Sequence, residues 1–88
     1  MRVVILYRPN SEYSLTVEDF IRNYQIYHDD QPLEVLNIDT RDGSATAALY
    51  DVVEYPAILV LQSDGYLQKL WQGSALPRVD DVIAYAHV

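Results

Sequence analysis

The sequence predicts an α/β domain of order βαβαββα, with a four-stranded mixed sheet and helices on both faces. Two unbroken apolar runs, Val3-Val4-Ile5-Leu6-Tyr7 and Ala57-Ile58-Leu59-Val60-Leu61, are the first observation. A strand with one wet face alternates, so such runs read as strands buried on both faces. The second observation is a change of period: Val17, Phe20, Ile21, Tyr24 and Tyr27 recur at helical spacing. The third is the Ser63-Asp64-Gly65 turn after the second run, which tips the chain into a hairpin because glycine accepts the positive φ required there.

The first strand starts directly after Met1-Arg2, and Arg8-Pro9-Asn10-Ser11 ends it. Across the following helix from its apolar side stand Glu18, Asp19, Arg22 and Gln25. Ser14 or Thr16 is placed to cap this helix, and Glu18 and Asp19 suit its positive N-terminal end. Asp29-Asp30-Gln31-Pro32 stops it. Leu33 to Asp39 reads as a strand of ordinary length. Arg41-Asp42-Gly43-Ser44 reads as a loop, and alanine-rich Ala45 to Tyr50 as a short helix. Pro56 stands at the entry of the buried third strand, where a missing N–H costs little. The aromatic–proline pair Tyr55-Pro56 is a place to expect a cis bond. Tyr66 to Gln72 forms the hairpin partner and Gly73 ends it. Pro77 suits the first turn of a last helix, whose apolar face is Val79, Val82, Ile83 and Ala86. The first strand–helix–strand unit calls for a parallel, right-handed crossover, and the hairpin adds two strands antiparallel to it.

Composition narrows the functions. Eighty-eight residues, half of them hydrophobic, suit one domain over residues 1–88 with a real but thin core. Thirteen acidic residues against six basic ones give a net charge of −7. That opposes binding to phosphate backbones, and no Lys/Arg cluster counters it. The charge serves first to keep the chain soluble, and otherwise favours basic or neutral partners. No apolar run reaches the roughly 20 residues of a membrane span, and no signal peptide opens the chain, so a cytoplasmic location is expected. There is no cysteine, which excludes disulfides, thiolate metal sites and thiol chemistry within this chain. His28 and His87 lie at the ends of two different helices, a poor arrangement for a metal. Neither is placed to act as a base toward Ser11, and Glu12, adjacent to it, is solvated. Asp29-Asp30 and Asp80-Asp81 read as solvated helix-terminal charges. No metal and no cofactor are expected.

With a proline heading the third strand, the order of elements resembles the thioredoxin-like fold in its minimal, glutaredoxin-sized form. Arg8-Pro9-Asn10-Ser11-Glu12-Tyr13-Ser14 is similar to the glutaredoxin segment of a basic residue, a proline and then Cys-Pro-Tyr-Cys. Leu36-Asn37-Ile38-Asp39 is similar to the second core strand of thioredoxins. Tyr55-Pro56 through Gly65 resembles their cis-proline strand and hairpin, and Gln72-Gly73 the glycine that closes the last strand. The departures bear on chemistry. Both cysteine positions are serines, Ser11 and Ser14, and a serine hydroxyl neither ionises near neutral pH nor forms a disulfide. The resemblance also implies a buried acid at Ile5 and a nearby lysine at Val35, and both positions are apolar here.

What the resemblance leaves is a peptide-binding groove. It implies that Tyr55, before Pro56, pairs by its backbone with an extended partner. Glu54, Gln72 and Gly73 stand beside it, and Asn10, Glu12 and Tyr13 form the opposite wall. Glu54 replaces a small residue and favours a narrower groove or basic partners. Tyr13 and Tyr55 are expected near it and Trp71 is a further candidate anchor, the alternative for each being plain partial burial, while Tyr24, Tyr27 and Tyr85 belong to helix faces. Arg8, Ser11 and Ser14 could hold an anion at the helix start; the alternative is that the serines cap and the arginine is solvated. The expected function is a redox-inactive module that binds a peptide or protein. The other readings are an oxidoreductase whose cysteines are replaced in this chain, a glutathione or anion binder, and a subunit that self-associates through a strand edge.

Overall fold

A computed structural model describes residues 1–27 and 32–86, without the side chain of Tyr27. The two long apolar runs become the two central strands. The elements are β1 (Arg2–Tyr7), α1 (Ser14–Tyr27), β2 (Leu33–Asn37), α2 (Arg41–Leu49), β3 (Ala57–Leu61), β4 (Leu67–Gln72) and α3 (Val79–Ala86). Their sheet order is β2-β1-β3-β4. β1 runs parallel to β2, with Ile5 opposite Val35, and antiparallel to β3, with Ile5 opposite Ile58. β4 pairs antiparallel with β3 and so returns to the direction of β1; of the two hairpin strands only β3 opposes it.

Side chains alternate across a strand, so each run feeds two cores. Val3, Ile5, Tyr7, Ile58 and Val60 pack with Val17, Phe20 and Tyr24 of α1 and with Val82 and Ala86 of α3. Val4, Leu6, Ala57, Leu59 and Leu61 pack on the other face with Ala47 of α2 and Val52. Burying each of these larger side chains is worth about 1.5–3 kcal/mol. The expected mixed sheet with helices on both faces is thus present, α1 and α3 on one face and α2 on the other.

Local chemistry moved several boundaries. α1 starts at Ser14, ahead of the first clearly periodic residue, so Thr16 lies inside it and caps nothing. The Ser14 hydroxyl donates to the Ser11 carbonyl at 2.9 Å instead of accepting from a helix N–H. Glu18 and Asp19 fall in the second turn, beyond the stretch where the helix dipole acts strongly. The expected stop at Asp29 to Gln31, and both His28 and His87, lie outside the described residues. β2 ends at Asn37, and it is an edge strand, not a core one. The expected loop Arg41–Ser44 is the first turn of α2. Thr40 caps that turn, its hydroxyl accepting from the Gly43 N–H at 3.1 Å. α2 ends with Asp51 in the left-handed region (φ 55°) and the Val52 N–H donating back to the Ala47 carbonyl at 2.9 Å. That six-to-one bond closes the helix end without glycine. Pro77 precedes α3 by two residues and so is not in its first turn; Asp80 and Asp81 are.

At the hairpin, Gly65 takes φ 93°. The Tyr50 hydroxyl donates to its carbonyl at 2.6 Å, fastening the turn to the end of α2. Gly43 is needed for a different reason: a Cβ there would collide with the Asn37 backbone carbonyl where α2 crosses the end of β2. Alanine gains about 1 kcal/mol over glycine in a helix, but overpacking against a rigid backbone costs about 1–3 kcal/mol, and here the overlap is severe. Gly43→Ala is therefore expected to lose about 2 kcal/mol, read as a lower denaturant midpoint at unchanged slope.

Burial, and then the Glu18 carboxylate, raise the Tyr7 phenol above its ordinary value of 10.0. The unfolded chain then ionises before the folded one. This phenol's contribution to stability is intact below pH 10.0 and lost as pH rises through the folded-state value. Tyr7→Phe is expected to flatten the fall of stability with pH in that window, measured by denaturant titrations at successive alkaline pH values.

Candidate functional site

One end of the sheet gathers the chain segments that leave β1, β2 and β4 and the segment that enters β3. The registers Tyr7 opposite Asn37, Leu6 opposite Ala57 and Ala57 opposite Gln72 place these ends side by side. Asn10, Glu12 and Tyr13 therefore come to the same end as Glu54, Tyr55, Pro56, Gln72 and Gly73. Arg8 sits between the two groups, near enough to the Tyr13 and Tyr55 phenols for both to favour its charge.

Arg8 itself is engaged. Its Nε donates to Asp39 Oδ2 at 3.0 Å and its Nη2 to Asp39 Oδ1 at 3.1 Å. Hydrogen bonding to Asp39, then the charge of that carboxylate, raises the guanidinium pKa further. Solvent screens the pair, so its value is positional: a two-pronged contact that ties the ends of two parallel strands. The serines are engaged as well. The Ser11 hydroxyl donates to the Arg8 carbonyl at 2.6 Å, and the buried Ser14 hydroxyl donates to the Ser11 carbonyl. All three groups expected to hold an anion thus carry another bond. A carbonyl oxygen is no base, so neither serine has here the activation that nucleophilic catalysis needs. Ile5 is buried and lies opposite exposed Val35, so the two residues are cross-strand neighbours and both apolar.

The opposite wall is built by Gln72. Its Oε1 accepts from the Val53 N–H at 3.0 Å and the Glu54 N–H at 3.2 Å, holding the chain before Pro56. The Gly73 N–H donates to the Pro56 carbonyl at 3.0 Å, and Gly73 takes φ 104°. The Tyr55–Pro56 peptide bond is cis. The backbone N–H and carbonyl of Tyr55 have no hydrogen-bond partner among the described residues. Trp71 stands edge-on to Tyr85 at 5.5 Å, with the Lys69 ammonium 5.7 Å and 5.6 Å from the two rings. Among the described residues, no cluster of three metal-ligating side chains forms, and no helix is long and apolar enough to cross a membrane.

Two features of this end escaped the sequence reading, the Arg8–Asp39 tie and the bridging role of Gln72. The first left a trace: opposite charges follow the ends of two strands read as parallel. The second left none, because a glutamine amide near a strand end has many possible partners.

No protein-family model matches the chain, and no curated protein matches it in sequence. Solved structures do match. Thioredoxin 1 from the thermophilic eubacterium Thermosipho africanus is similar with a TM-score of 0.69 and 14% identity, over 99% of this chain and 91% of its own. A structure described as a malarial protein matches with a TM-score of 0.69 and 15% identity, over 98% and 92%. Thioredoxin O2 from Arabidopsis thaliana, in its oxidized state, matches with a TM-score of 0.70 and 13% identity, over 98% and 71%. Likeness at such low identity is likeness of fold. By strand order, helix placement and these neighbours, this chain has the thioredoxin-like fold, and its sequence contains no cysteine.

Proposed function

We propose that this chain is a redox-inactive, thioredoxin-like binding module that holds an extended segment of a peptide or protein against Tyr55–Pro56. The observation that carries the reading is the backbone of Tyr55, an N–H and a carbonyl without partners among the described residues, at the start of a fully paired strand. An extended segment laid beside it completes both bonds, and side chains then supply the choice. Tyr13 and half-buried Tyr55 offer rigid apolar surface at low entropy cost. The wall is held in advance by Gln72, so little ordering is needed on binding. Redox inactivity rests on the chain having no cysteine and on the two serine hydroxyls donating to backbone carbonyls.

Two measurements test it. In the presence of a randomised library of short peptides, the Tyr55 amide is expected to exchange rapidly alone and to become protected by the peptides retained. Protection elsewhere, with Tyr55 unchanged, refutes the groove. In the second, the wild-type chain is expected to leave insulin disulfide reduction by dithiothreitol at the buffer rate. The Ser14 N–H donates to the Ser11 carbonyl at 3.2 Å, a turn that holds the two Cα atoms within about 7 Å. That is the span of a disulfide, so S11C/S14C is expected to oxidise to an intramolecular bond, read by mass after alkylation.

A further inference from the structure

We propose that the segment bound at Tyr55 carries a lysine or arginine, and that the Glu54 carboxylate selects it; this rests on the groove reading above and adds the choice of partner. Charge at this end of the sheet is unevenly compensated. Arg8, which lies near the Tyr13 and Tyr55 phenols, is taken by Asp39, and Arg41, which opens α2 at this end of the sheet, forms no ion pair with Glu54 or Glu12. Arg2, Arg22 and Arg78 pair with Glu34, Asp19 and Asp80 elsewhere, and Lys69 lies against Trp71 and Tyr85. Glu54 and Glu12 have no cationic partner among the described residues.

Glu54 is also placed, not merely present. Its N–H is held by Gln72, and its carboxylate lies over Gly73, with Oε2 2.8 Å from where a Cβ at residue 73 would stand. A side chain at 73 would contest that space; glycine leaves it to the carboxylate. Glu54 immediately precedes the residue whose backbone is free. In an extended segment paired with Tyr55, a neighbouring side chain therefore passes close to this carboxylate. A basic side chain there gains a partner, whereas an acidic one meets Glu54 and the overall charge of −7. The tyrosines on either side of Arg8 add faces against which a guanidinium or ammonium can stack.

Because Glu54 is exposed, the effect on affinity is modest and its sign is the diagnostic. The experiment uses an array of extended peptides with Lys, Glu or Ala at each position in turn. Binding is measured against wild type, Glu54→Gln and Glu54→Lys, with melting curves showing that all three are folded. Wild type is expected to prefer Lys at one position. Glu54→Gln should weaken that preference about two- to fivefold, and Glu54→Lys should reverse it toward Glu at the same position. Raising the salt concentration should reduce the wild-type preference. Peptides that protect the Tyr55 amide with the same charge preference in wild type and Glu54→Lys overturn this inference and leave the groove standing. If no peptide of any charge protects that amide, the groove and the inference fall together.

Discussion

Burial of β1 and β3 on both faces is the constraint from which the rest of the structure follows. A strand pair without a wet face cannot leave backbone groups to water, so every one must find a partner within the sheet. It also needs cover above and below, which α1 with α3 and α2 supply from opposite sides. β2 and β4 then close the two flanks of the pair and take the edge positions, where half-exposed side chains are tolerated. Unbroken apolar runs carry little information about register, because a one-residue slip exchanges one apolar face for another. Register is set instead at the ends: Pro56 limits pairing at the start of β3, and the Gln62–Gly65 turn limits it at the other.

The same geometry explains why the candidate site lies where it does. Three strands end and one begins at a single edge of the core, so four connecting segments meet there. Each is held by a bond that does not depend on a thiol: Arg8 to Asp39, Ser11 and Ser14 to backbone carbonyls, Gln72 to Val53 and Glu54. On the proposed reading, replacing the sulfurs with hydroxyls removes the exchange chemistry and leaves the walls of the groove in place. Ile5 extends the larger core where an acid would require a partner or a proton.

Much of this was legible in the residues, and the exceptions share a cause. Both central strands, the hairpin turn and the apolar faces of α1 and α3 were readable because each is written in local period or in one special residue. The starts of α1 and α2 were not. Arg41-Asp42-Gly43-Ser44 has the composition of a loop, yet Thr40 caps it and Gly43 fits closely against the Asn37 carbonyl. A residue chosen to allow close approach looks, in sequence, like one chosen for flexibility. The resemblance of Leu36-Asn37-Ile38-Asp39 to the second core strand of thioredoxins implied a central place for β2; its edge position is a property of the sheet.

The amino-acid order alone determined the two central strands, the hairpin and the apolar helix faces, that two strands are dry on both faces, and that no thiol chemistry is available within the chain. These follow from periodicity and from the chemistry of single residues. Tertiary structure alone decided that Arg8 spends its charge on Asp39, across 31 positions, that Gln72 braces Val53 and Glu54, and that the Tyr55 backbone has no partner among the described residues. Such pairings depend on strand order and register, which only packing of the whole chain sets, because a side chain's partner is whatever the fold carries within reach of it.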